Sequence, residues 1–157
     1  MTKINQEMID KRVNVGLLNL WHPVLPSWSV NNDPVGISRL SEKIALWRDD
    51  QGIVHAVEDR CPHRGAPLSL GWNLGDRLAC WYHGIEIQGD GVVADVPAIR
   101  DCPMKGKKMV KSYPVQEVQN AIFLYFGDES NLEPPKLDLP DELIGDDYSN
   151  FLCTAMW

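Results

Sequence analysis

The chain has 157 residues, 44% apolar and 24% charged, and carries a net charge of -7 from 15 basic and 22 acidic side chains. That balance suits one soluble globular domain and is too rich in Leu, Ile, Val and Trp for a disordered chain. It excludes a helical membrane span, for which no apolar run approaches the ~18 residues required, and nucleic-acid binding, which needs a basic excess.

Residues 1–12 are polar and read as an arm; their opening, MTKINQE, lacks the apolar core of a signal peptide, so a cytoplasmic protein is expected. From Val13 to Gly127 the texture is that of short strands. Residues 35–40 alternate, residues 42–48 (EKIALWR) follow, and the turn chemistry of 49–52 (DDQG) returns the chain through 53–58 (IVHAVE) as a hairpin. Two loops come next, residues 59–67 (DRCPHRGAP) and 80–84 (CWYHG), separated by the irregular, glycine-punctuated stretch 71–76. A second hairpin joins 85–87 to 92–96 through Gly89, Asp90 and Gly91, and a third joins 111–118 to 121–126 at Gln119 and Asn120. Turns every eight to twelve residues predict an all-β fold, a small antiparallel sandwich or barrel.

Residues 128–147 differ. They hold eight acidic residues against Lys136 alone, so this segment accounts for the whole net charge, and Pro134, Pro135 and Pro140 deny it strand donors. It reads as a linker or wrapping arm. Residues 148–157 return to strand-like composition and read as the start of a further domain.

Four cysteines in 157 residues are too sparse for a disulfide scaffold. Two of them sit beside two of the four histidines: Cys61-Pro62-His63 is a C-x-H and Cys80-Trp81-Tyr82-His83 a C-x-x-H. Each loop thus offers one thiolate and one imidazole. A tetrahedral zinc would accept two sulfurs and two nitrogens, but zinc fingers usually draw each pair of like ligands from one side. The mixed loops fit a [2Fe-2S] cluster whose irons have unlike ligands, two cysteines on one and two histidines on the other. Neutral imidazoles put less negative charge on their iron and favour adding an electron there.

These two motifs, C-P-H-R-G-A at 61–66 and C-x-Y-H-G at 80–84, resemble the paired loops of Rieske domains, and CPHRGAPLSL at 61–70 is similar to the N-terminal domain of the large subunit of Rieske non-haem iron oxygenases. Trp21, His22, Pro23 and Val24 and residues 44–48 sit where that family has early strands. The resemblance implies a Rieske-type sandwich or barrel over 13–127 with a small two-loop cluster-binding subdomain. It implies Cys61 and Cys80 on one iron, and His63 and His83 on the other, solvent-facing one. It implies one-electron relay from a ferredoxin or a flavin/iron–sulfur reductase to a mononuclear Fe(II) site. That site would lie in a catalytic domain, of the same or a neighbouring subunit, within a homotrimer of the complete protein. The parent reaction would be oxygenation of an aromatic or similarly apolar substrate. The mononuclear site needs two histidines and a carboxylate. Only His22 and His55 remain, neither in a D-x-x-H setting, so that site is expected in the catalytic part that 148–157 would begin.

Departures from respiratory Rieske proteins are informative. No further cysteine stands in either loop, so their disulfide is impossible, and Ile85 and Ile87 stand where those proteins carry hydroxyls that bond to cluster and ligand sulfur. A midpoint near the low end of the Rieske range, about -150 mV, is expected.

Two rivals remain: a stand-alone Rieske ferredoxin and a zinc-stabilised structural module. His22 reads as a packed histidine, His55 as a surface or cross-strand residue, Cys102 and Cys153 as buried small apolar residues, and Pro62 and Pro67 as loop stiffeners. Trp72 and Trp81 either fill core space or shield the metal site. Lys105, Lys107, Lys108 and Lys111 form a solvated run, or a docking patch for an acidic ferredoxin or reductase.

Overall fold

The computed structural model describes Ile9 and residues 18–128 and 133–144. The expected polar arm at 1–12, apart from Ile9, the strand-like segment at 148–157 and Cys153 lie outside the described residues. Among the described residues ten strands run in the order β1 (Leu20–Pro26), β2 (Val35–Arg39), β3 (Glu42–Arg48), β4 (Val54–Glu58), β5 (Trp72–Asn73), β6 (Arg77–Ala79), β7 (Glu86–Gln88), β8 (Val93–Asp95), β9 (Val115–Val118) and β10 (Ala121–Phe126). One-turn helical segments occur at Ser27–Ser29, Leu68–Leu70 and Asp141–Ile144. The strands form three antiparallel sheets, ordered β1-β10-β9, β2-β3-β4 and β5-β6-β7-β8.

Strand β3 explains how the sheets assemble. Successive side chains of a strand point to opposite faces, yet Ile44, Ala45, Leu46 and Trp47 are all fully buried. Ile44 and Leu46 join a core with Val24, Val30, Ile122, Leu124 and Phe126 from the β1-β10-β9 side. Ala45 and Trp47 join a second core with Leu68, Leu78, Ile87 and Val93, and this core also contains Cys61 and Cys80. The apolar run in EKIALWR is therefore a wall between two cores. The half of the molecule that carries the cysteines is built on its far side.

The expected hairpins are present. Positive φ at residues that are not glycine closes one of them, at Gln119 (50°) and Asn120 (62°) between β9 and β10, and a further hairpin, at Leu40 (48°) and Ser41 (64°) between β2 and β3. Two such residues in a row match the twist of antiparallel strands. The third hairpin starts later than expected, because 111–114 only bridge to β4 through the Val57–Ser112 pair before β9 begins at Val115. The irregular stretch 71–76 contains β5, paired to β6 through Trp72–Ala79 and Asn73–Leu78. Strand β1 is an edge, which tolerates Pro23 and Pro26, and its ladder with β10 slips one residue at Val24. The proline-rich segment touches this edge, where Trp21 Nε1 donates to the Pro135 carbonyl at 2.8 Å.

Candidate metal centre

The two sequence motifs become two loops of the same backbone design. In loop one, Cys61 N–H donates to the Ala66 carbonyl (2.8 Å) and Gly65 N–H to the Cys61 carbonyl (2.9 Å). In loop two, Cys80 N–H donates to the Ile85 carbonyl (2.8 Å) and Gly84 N–H to the Cys80 carbonyl (2.9 Å). The second bond of each loop needs a left-handed residue in the fifth position, and Gly65 (φ 69°) and Gly84 (φ 71°) supply it. The spacing C-x-x-x-G is common to both loops, whereas the histidine stands third in one and fourth in the other.

Each loop is held by its flanks. Loop one leaves β4 and is closed at its base by Asp59, whose carboxylate accepts from Ser69 N–H (2.7 Å) and Ser69 Oγ (2.6 Å). Leu68 is fully buried below it. Loop two is the connection of the β6–β7 hairpin, closed by the Ala79–Glu86 pair. Residues 97–104, between β8 and the following turn, form a third wall. Val96, Cys102 and Met104 line a cavity of about 120 Å³ with His63, His83 and Ile85.

The four donors sort by type. Cys61 and Cys80 are 3% and 1% exposed and belong to one core, while His63 and His83 stand exposed at the surface with ring centroids 4.8 Å apart. Burial pushes the Cys61 thiol up to about 11; the neighbouring Cys80 sulfur adds to the rise, and the backbone N–H groups of His63 and Arg64 work against it. The Cys61 thiol, which resists ionisation among apolar side chains beside Cys80, needs a cation to take a charge, which metal ligation supplies. Among the described residues no three His, Cys, Asp or Glu side chains gather round one point as a single metal ion would require. A tetrahedral zinc needs four donors round one centre. Two sulfurs on one side and two imidazoles on the other suit a group with two metal centres, so the donor set fits a [2Fe-2S] cluster.

Around these donors the expectations divide. Trp81 and Trp72 are not core residues, being 44% and 58% exposed. Trp81 stands in the turn of loop two and Trp72 on β5, an edge strand of its sheet. Tyr82 lies tilted against the His83 ring with centroids 3.9 Å apart, a contact the motif alone did not announce. His55 is cross-strand to Trp47 and bonds to Asp49 (2.8 Å), and His22 packs edge-on against Phe126. Cys102 is half-buried against the cysteine-bearing core, not fully buried as expected. Three of the four lysines are engaged: Lys105 with Asp95, Lys108 with Ser112, and Lys111 with Glu42, which also accepts from Tyr113. The Asp59–Ser69 clasp and the wall at 97–104 went unnoticed in the sequence, because neither carries a motif.

The profile described as Rieske [2Fe-2S] domain matches residues 20–114. The vanillate O-demethylase oxygenase subunit of Pseudomonas sp. (strain HR199 / DSM 7063) is 38% identical over 116 residues, 74% of this chain and 32% of that protein. The terminal oxygenase of carbazole 1,9a-dioxygenase from Novosphingobium sp. KA1 superposes with a TM-score of 0.77 at 35% identity, covering 88% of this chain and 38% of that one. A reduced complex between oxygenase and ferredoxin in carbazole 1,9a-dioxygenase aligns at 0.75 and 28% identity, over 94% of this chain and 40% of that one. The chain spans about a third of the length of the vanillate relative. With loop pair, donor sorting and profile in agreement, the chain belongs to the Rieske [2Fe-2S] domain family.

Proposed function

We propose that Cys61 and Cys80 bind one iron of a [2Fe-2S] cluster and His63 and His83 the other, and that the chain is the electron-receiving domain of a ring-hydroxylating-type oxygenase. The observation that carries this reading is the sorting of like donors, buried cysteines against exposed histidines, by two loops of one backbone design. A bound [2Fe-2S] cluster supplies storage for one electron. The chain's own residues do the rest. The cores below exclude water from the sulfur side. Loops pinned at 2.6–2.9 Å by backbone bonds and by the Asp59–Ser69 clasp move little when charge changes. The exposed imidazoles make the histidine side the face where electrons enter and leave.

The electron source is a ferredoxin or a flavin/iron–sulfur reductase. The receiver is a mononuclear Fe(II) in a catalytic domain outside 13–127, reached through the acidic, proline-rich linker at 128–147, with 148–157 as the start of that domain. In the complete protein a homotrimer would let one subunit's cluster serve its neighbour's iron. The protein works in a reducing compartment, the cytoplasm, where cysteines stay available as metal ligands. Among the described residues no helix is long and apolar enough to cross a membrane.

Anaerobic reconstitution of the full chain with iron and sulfide tests this reading. Expected are two irons and two sulfides per chain, a red-brown spectrum, and an electron paramagnetic resonance signal on reduction with nitrogen couplings from two imidazoles. A colourless protein that binds one zinc would contradict it.

A further inference from the structure

The lysine run is the obvious positive feature of the sequence, but two of its four charges are paired within the chain. Lys105 pairs with Asp95 at 2.7 Å and Lys111 with Glu42 at 2.6 Å, and Lys108 bonds Ser112 at 3.0 Å. Three arginines stand differently. Arg60 and Arg64 flank His63 on loop one, and Arg60 Nε lies 3.4 Å from where a Cβ on Gly65 would be. Arg100 follows Ile99, which lines the same cavity as His63 and His83. All three are exposed, and among the described residues none forms an ion pair. Asp95 is paired with Lys105 and Glu86 with Arg77. Asp101 follows Arg100, and Arg60 shares a pocket with Glu58 and Asp59, so these acids partly offset the cluster without forming an ion pair with it. The face still presents three guanidinium groups on a chain of net charge -7.

The apolar part of that face is aromatic. Trp81 stacks on Tyr82 (5.5 Å between centroids, 25° between planes) and Tyr82 lies tilted against His83 (3.9 Å, 31°), so a continuous row of rings leads outward from one imidazole. Trp81 and Tyr82 are 44% and 48% exposed. Exposed Trp and Tyr beside unpaired Arg is the composition of an interface hot spot.

We infer that Trp81 and Tyr82, rimmed by Arg60, Arg64 and Arg100, form the docking surface for a small acidic iron–sulfur electron donor, and that the lysine run has no part in it. The inference rests on the proposed electron-transfer reading and names the partner's chemistry and the residues that meet it. The arginines attract and orient the acidic donor during approach. The ring pair seats it against His83. One electron then passes from the reduced donor, which is oxidised by one electron, to the oxidised site of this chain, which is reduced by one, and no bond is made or broken.

The test uses the full chain, reconstituted and oxidised, mixed in a stopped-flow instrument with a reduced acidic plant-type ferredoxin. A parallel arm uses photoreduced deazariboflavin, a small reductant that needs no docking surface. The R60E/R64E/R100E chain should lose at least about tenfold in second-order rate with ferredoxin at low salt and keep its rate with deazariboflavin within about twofold. The triple Arg→Lys chain should recover most of the loss, W81A should slow ferredoxin alone, and K105E/K107E should stay within about twofold of the parent. A ferredoxin rate that is unchanged in the charge-reversed chain, or that falls only in step with the deazariboflavin rate, overturns the docking surface and leaves the cluster reading intact. Failure of the unmutated chain to take up a cluster, judged by its spectrum before any mixing, overturns both.

Discussion

Residues 61–66 and 80–85 close with the same two backbone hydrogen bonds and turn on glycines of nearly equal φ, 69° and 71°. They differ in almost everything else. Loop one leaves β4 and needs the Asp59–Ser69 clasp to close its base, whereas loop two is a hairpin connection closed by the β6–β7 ladder. Loop one places its histidine third and follows it with Arg64; loop two places it fourth and precedes it with two stacked aromatic rings. The repeated backbone sets the cysteines at matching places in one core. The differing inserts decide what surrounds the histidines and what a partner meets. One half of the design is therefore about holding and the other about access.

The sharpest way to break this symmetry is to remove one cysteine. C61S and C80S should each reduce iron and labile sulfide in the reconstituted chain to background, since a buried hydroxyl does not replace a thiolate; metal analysis checks it, and retention of both irons in either variant would contradict equal roles. Next come the glycines. An alanine at 65 or 84 must take a left-handed conformation, which costs about 1–2 kcal/mol. The space at Gly84 is open to ordinary contact with Pro97 Cγ at 3.6 Å, and at Gly65 the nearest atom is Arg60 Nε at 3.4 Å, so backbone strain and not collision should set both losses. Urea denaturation should show G65A and G84A destabilised alike; a loss in only one loop would show that the shared backbone design does not matter equally.

The smallest effect concerns tuning. Ile85 is 3% exposed and offers no donor to sulfur, so the midpoint should lie near about -150 mV. I85S adds a hydroxyl beside the sulfurs, and a hydrogen bond of about 1 kcal/mol favouring the reduced state corresponds to a rise of about 45 mV for one electron. Redox titration measures both values; a parent midpoint above zero, or no rise in I85S, would contradict this tuning.

Much of this was legible in the sequence where the signal was local. The Asp-Asp-Gln-Gly and Gly-Asp-Gly turns marked hairpins that the structure contains, and the two Cys–His loops identified the candidate donors. Long-range features were not legible. Strand β1 pairs with β10 about a hundred residues away, and its two prolines are harmless because it lies at the sheet edge. The Leu40–Ser41 turn lacks the glycine or asparagine that signals positive φ. Lys111 looked free because its partner, Glu42, lies 69 residues earlier. For Trp72 and Trp81 core filling and shielding of the metal site both stayed open, because no period of 2 or 3.6 around them could say which way they face.

Two irons with unlike ligands, thiolates on one and imidazoles on the other, should be distinguishable in Mössbauer spectra of the full chain reconstituted with 57Fe and reduced by one electron. Two doublets of equal area are expected, one ferric and one ferrous, with the ferrous parameters shifted by nitrogen ligation and altered in H83C but not in I85S. Two irons of all-sulfur character, or a single iron environment, would contradict this ligation.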